Sequence, residues 1–225
     1  MKARARIVAR AQPDGTTRLV TLAGETPLLL RRAPHPDGLD TARVHLLGGA
    51  SGPIGGDDLA YRVDIGPGAR VQVRSVAASL ALPGPGGAQS TLACDVQVAS
   101  GGSLDWRPEP VIAVRGANHS AHAELDLAEG AELFWRQDVV LGREDEESGS
   151  IRSRLRIRVS GRVVFDHEFA LGPRYPGSLG PAGSAGYHRL TLTAELAPDQ
   201  PRPSIRLAFS GPGLPELSHA FMPVE

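Results

Sequence analysis

The chain has one cysteine, Cys94, in 225 residues, so no intrachain disulfide can form. It has no apolar run near the ~18 residues a membrane-spanning helix needs. The basic opening, Met1 to Arg10, lacks the apolar stretch of a secretory leader. Charge of one sign is also missing: 24 Lys and Arg stand against 25 Asp and Glu. Nothing in that balance draws the protein to nucleic acid or to an anionic membrane, and neither is expected as a partner. Long segments free of helix breakers are scarce too, since 27 glycines and 19 prolines are scattered along the chain. That spacing suits short strands and turns and leaves little room for helix. What remains is a β-rich, cytoplasmic protein whose 41% apolar residues can bury a sizeable core. All-β chains of this length fold as one unit often enough to predict a single domain over 1–225.

What is present is a repeat. Val63-Asp64-Ile65-Gly66-Pro67-Gly68-Ala69-Arg70-Val71-Gln72-Val73-Arg74 aligns without gaps on residues 96–107 and again on 125–136. Each copy reads apolar-x-apolar-x-x-Gly-small-x-apolar-x-apolar-Arg, with Gly68, Gly101 and Gly130 at the turn. A fixed period near thirty residues marks a supersecondary unit that buries its face against its neighbours. Upstream of each turn the alternation continues: Leu59, Tyr61, Val63; Leu92, Cys94, Val96; Ala121, Ala123, Leu125. Period two means strands with one buried and one wet face. The arms of each unit form either a hairpin or two sides of a coil with glycine at the corner, and the spacing alone fits both. The expectation is an all-β, stacked, β-helix-like domain with a repeat core over 59–141. Cys94, on the buried phase, reads as an inert core thiol.

Around the repeats, residues 3–32 hold two strand-like runs, and 151–159, 163–171 and 189–196 alternate again. Pro83 to Gly87 and Pro173 to Gly186 read as mobile loops, and the tail as a short strand over 204–209 with an irregular end. Arg152, Arg154, Arg156 and Arg158 share one strand face, and without interleaved aromatics they read as a solvated, ion-paired face. The glycine-rich run 48–56 must turn sharply or approach something closely, but it lacks the Lys-Ser/Thr ending of a phosphate loop. His119 and His122, three apart, fall on opposite strand faces and do not form a His-x-His metal pair. No nucleophile motif occurs, and the carboxylates at 144–147 read as a solvated turn. On these grounds the chain is a binding or scaffolding protein. The competing readings are an unrelated β-solenoid binding module and a cupin-like metal enzyme.

An ordered set of motifs carries a family likeness. Gly48-Gly49 is followed by Gly55-Gly56-Asp57, then Gly68-Ala69, Pro108-Glu109-Pro110 with Ile112, and Leu141-Gly142-Arg143 with its acidic-Ser-Gly sequel. This series resembles the urease accessory protein UreD (UreH) family over about residues 15–196. The resemblance implies a non-enzymatic maturation factor with an all-β stacked fold. Such a factor binds UreF-type and UreG-type accessory proteins and apo-urease, holds no permanent cofactor, and assists nickel delivery through an internal passage. On that expectation the transient nickel ligands are Asp57 and Glu109, with His119 and Glu147 as weaker candidates. Alternatively, Asp57 hydrogen-bonds amides of the glycine loop, and Glu109 pairs with an arginine such as Arg107.

Overall fold

The computed structural model describes residues 1–34, 40–175, 188–211 and 214–221. In chain order the strands begin with β1 (Lys2–Ala11), β2 (Thr17–Gly24), β3 (Leu28–Ala33), β4 (Thr41–Gly48), β5 (Asp58–Ile65) and β6 (Arg70–Ser75). They continue with β7 (Ser79–Ala81), β8 (Ser90–Val98), β9 (Ser103–Arg107), β10 (Val111–Ala113), β11 (Asn118–Leu127) and β12 (Glu132–Leu141). The last are β13 (Ser150–Val159), β14 (Arg162–Leu171), β15 (His188–Leu196), β16 (Ser204–Gly211) and β17 (Leu214–Phe221). They form a seven-stranded first sheet in the order β14-β13-β11-β8-β5-β1-β2, and a ten-stranded second sheet. The second runs β17-β16-β15-β12-β9-β6-β4-β3, with β10 beside β12 and β7 beside β10.

The two arms of each repeat lie in different sheets, so the glycine unit is a corner and not a hairpin. Ile65, Val98 and Leu127 are in parallel register in the first sheet, and Val73, Trp106 and Trp135 in the second. Gly68, Gly101 and Gly130 take φ of +67°, +67° and +73°, a left-handed conformation that other residues resist. Each corner is closed by one backbone bond: Ala69 N–H to Gly66 O, Gly102 N–H to Ala99 O, and Ala131 N–H to Ala128 O. The corners also stack, because Ala99 N–H donates to Ile65 O and Ala128 N–H to Val98 O. Every coil thereby satisfies the backbone of the next.

Between the sheets, Ile7, Val63, Ile65, Val71, Leu104 and Leu125 are fully buried. Side chains of this kind contribute about 1.5–3 kcal/mol each on burial. On the outer face of the first sheet the arginine row of β13 is ion-paired, Arg154 and Arg156 with Asp166, and Arg158 with Glu124 and Asp126.

Three expectations change. Residues 3–32 hold three strands, because the turn at Thr26–Pro27 separates β2 from β3. The 83–87 loop is packed: Gly84 lies against Gly55 so closely that a Cβ on either would fall within 3 Å of the other's backbone. The tail forms two antiparallel strands, β16 and β17, in place of an irregular end. The loop expected over 173–186 falls mostly outside the described residues, as does much of the loop after Ala33.

Candidate functional site: a window in one sheet over an interlayer cavity

The second sheet is interrupted at one level. β6 stops at Ser75 and resumes as β7 at Ser79, and β9 stops at Arg107 and resumes as β10 at Val111. β4 ends at Gly48, and its chain next touches the ladder at the Ile54–Leu82 bridge. β12 runs unbroken past this level, pairing Trp135 with Trp106 on one side and Val139 with Val111 on the other. Residues 107–110 therefore stand opposite only 136–138, a bulge built on Pro108 and Pro110. Neither proline has an N–H to give the ladder, so the strand cannot close there. The frame is stitched instead by Glu109 N–H to Ser75 Oγ at 2.7 Å and Ser79 N–H to Pro110 O at 2.9 Å.

Behind the window lies a cavity of about 500 Å³ between the sheets. Its second-sheet side carries Trp106 and Trp135, stacked at 5.1 Å and 10°, and Tyr61 meets Trp106 edge-on at 5.8 Å. Opposite stand Cys94, Ala121 and Ala123, too short to fill the space the broken strands leave. Burial pushes the Tyr61 phenol and the Cys94 thiol well above their usual ranges, so neither ionises near neutrality. The thiol is inert, as the repeat phase implied.

His119 also borders the cavity and is completely buried. Its Nδ1 lies 2.9 Å from Ser90 Oγ, while its Nε2 has no hydrogen-bond partner among the described residues. Burial lowers its pKa to about 4, so the ring is neutral at physiological pH. His122 points outward and is exposed, as the spacing of three requires. Gln137, from β12, reaches across the layers and donates Nε2–H to Ser153 Oγ at 2.8 Å, leaving its own Oε1 unpartnered. Beside it on the outer face, buried Asp138 accepts hydrogen bonds from Arg189 and Thr191 and pairs with Arg136. Burial alone would raise the Asp138 pKa, but these donors outweigh it and hold the carboxyl below its usual range.

The remaining predicted residues occupy different places. Asp57 is buried and turned into the glycine loop: Oδ2 accepts the Ile54 N–H at 2.9 Å, and Oδ1 takes the Met1 ammonium. That is the loop-bracing arrangement, and it fixes Ile54 beside Leu82 at the window's edge. Gly55 packs on Gly84, and Gly56 takes φ of +97°. Gly48 and Gly49 lead out of β4, where a Cβ on Gly49 would meet Leu29 at 2.8 Å. Glu109 is exposed on the rim, and Arg107 pairs with Asp105 and lies over the Phe134 ring instead of engaging it. Glu147 is exposed in the turn after Gly142 and Arg143, whose neighbour Glu146 takes the Arg143 ion pair. Among the described residues no three His, Cys, Asp or Glu side chains gather into a metal-holding group. Sequence reasoning missed Gln137 and Ser153; the signal available was a polar residue on the inward phase of each strand.

The fold thus defines a class: a coil of roughly thirty-residue β repeats flattened into two sheets, with an internal cavity reached through a break in one of them. The UreD urease accessory protein family profile matches residues 1–206, and the chain belongs to that family. It is 41% identical over 212 residues to the urease accessory protein UreD of Frankia casuarinae, covering 82% of this chain and 66% of the relative. To the UreD of Streptomyces avermitilis it is again 41% identical, covering 94% of this chain and 83% of the relative. To that of Streptomyces coelicolor it is 43% identical over 199 residues, covering 88% and 78%. The chain thus spans about two thirds of the Frankia protein's length and more of the others. No helix among its described residues is long and apolar enough to cross a membrane.

Proposed function

We propose that this chain is a non-enzymatic cytoplasmic factor that helps deliver nickel into apo-urease. It works with UreF-type and UreG-type accessory proteins, and nickel is cargo in transit, not a resident cofactor. One observation supports the reading: two of the family motifs, far apart in the chain, meet at one opening. The Gly48-Gly49 and Gly55-Gly56-Asp57 run and Pro108-Glu109-Pro110 all frame the window that leads to the interlayer cavity. A passage for a hydrated cation needs an opening, an interior wide enough for the ion with some water, and ligands weak enough to let go. The cavity has the width, and Glu109 supplies a solvated carboxylate at its rim. Nickel accepts oxygen and nitrogen donors, so Glu109 outside and His119 inside fit the sequence of contacts. Asp57 is better placed to brace the frame than to meet the ion, and Glu147 stands away from the opening.

The test is urease matured in cells with this chain, its neighbours and the urease subunits co-expressed. Expected are co-purification of a UreF-type partner, nickel-poor urease without this chain, and a reduced nickel content with Glu109→Ala. Fully loaded urease in the absence of the chain would overturn the reading.

A further inference from the structure

Beside the cavity, the inward face of the first sheet is more polar than a strand-on-strand core should be. Ser90, His119 and Ser153 are all buried on the inward face of the first sheet, among alanine, leucine and isoleucine neighbours. Ser153 pairs in register with Ala121, two positions along the same face from His119, and Gln137 descends on Ser153 from the opposite sheet. His119 Nε2 and Gln137 Oε1 are both buried and unpartnered, and both residues border the cavity. The same lining also holds the unpartnered donors Trp135 Nε1 and Arg136 Nε. A buried polar atom without a partner is destabilising, and the two unpartnered acceptors call for an explanation of their own.

We propose that His119, Gln137 and Ser153 form an interior holding point for a divalent cation with nitrogen and oxygen preference. The proposal rests on the reading of the chain as a nickel-delivery factor. Ser90 sets the histidine: with the proton on Nδ1 and donated to Ser90 Oγ, Nε2 keeps its lone pair free. Gln137 supplies a carbonyl oxygen, fixed because its Nε2 is tied to Ser153. Ser153 Oγ adds a hydroxyl oxygen, and water fills the other positions. All three donors are neutral. Affinity for a divalent ion rises with the number of charged ligands, so a neutral set holds the ion briefly and lets it pass. The rim carboxylate of Glu109 gathers the ion, and the neutral interior keeps it from being trapped.

The experiment titrates the full chain, co-purified with its natural partner, with Ni²⁺ alone, and reads the nickel ligands by X-ray absorption. Expected is a weak site whose spectrum shows one imidazole among oxygen donors. His119→Phe should weaken binding about tenfold or more and remove the imidazole signature, and Gln137→Met about threefold or more. Ser153→Ala, the mildest change, should fall in the same direction and serves if His119→Phe fails to fold. Glu109→Gln should leave the imidazole signature intact. Equal Ni²⁺ affinity in the wild type, Gln137→Met and Ser153→Ala would overturn the proposal, as would an imidazole-free spectrum. If urease loading in cells still requires the chain in that case, only the holding point fails. If loading never requires it, the delivery reading fails as well.

Discussion

The two sheets are made from the same repeat, yet one is whole and the other is broken. In the first, β5, β8, β11 and β13 run in unbroken parallel register, with carboxylates and guanidiniums paired across their outer faces. In the second, β6, β9 and the chain after β4 all break beside one stretch of β12. At two of the three breaks the difference is local chemistry: Gly and Pro at 48–56 and 108–110 deny the second sheet the donors and side chains a strand needs. The β6 break, at Val76-Ala77-Ala78, holds neither residue. Because the breaks coincide, the defect is a hole and not three separate bulges. An unbroken sheet gives rigidity, a coincident set of breaks gives access, and the corner glycines hold the two in register.

Several substitutions would test that contrast. The largest effect should come from the solid half of the interlayer: Leu125→Ala should cost about 3–4 kcal/mol by chemical denaturation. Leu92→Ala, beside a cavity already present, should cost about half that, and equal losses would erase the distinction. The next concerns acid. His119 titrates near 6.5 when unfolded and at about 4 when folded, so the unfolded chain takes up its proton first. Stability should therefore be unaffected above about pH 7 and fall by no more than about 3 kcal/mol as pH drops from 6.5 to 4. That slope should vanish in His119→Phe.

Two further changes act on access. Ala123→Phe, pointing into the cavity, should cost no more than about 2 kcal/mol while lowering urease nickel content severalfold. Replacing Pro108 and Pro110 together by alanine restores two N–H groups and should leave stability within about 1 kcal/mol while narrowing the window. A severalfold change in stability with unchanged nickel loading would show that the break is ornamental. The smallest effect belongs to the whole sheet's outer face. Hydrogen bonds from Arg154 and then Arg156 hold Asp166 at about 2, below its ordinary 3.8. Its contribution is present above about pH 4 and lost as pH falls toward 2. Because this face is solvated, Asp166→Asn should remove less than about 1 kcal/mol, and less still in high salt.

Much of the architecture was legible because strand alternation and glycine phase are short-range signals. Ile65, Val98 and Leu127 align in the sequence and pair in space. The two prolines announced a gap in a ladder. What could not be read was that three gaps fall at the same level, since that depends on how far each coil advances. The paired partners of Arg154 and Arg156 were implied only in kind, because β14 and β13 meet through a bulge that alternation does not encode. His119 was visible as an inward histidine, but the orphaned Nε2 becomes meaningful only beside Gln137, contributed by the opposite layer. The bond from Asp57 to a glycine-loop amide was legible as one of its two readings, but its second partner, the Met1 ammonium, was not, because it lies 56 residues away in the chain.

That separation has a temporal side. β1 is made well before β5, yet it lies in parallel register with it, Lys2 beside Asp58. At about 5–20 residues per second, the opening strand waits some seconds before its neighbour is even made. During that interval β2 can pair with one edge of it, while the edge that β5 will take has no ladder partner yet. A protein assigned to the making of another protein is thus itself dependent, early on, on a quiet neighbourhood in which to finish being made.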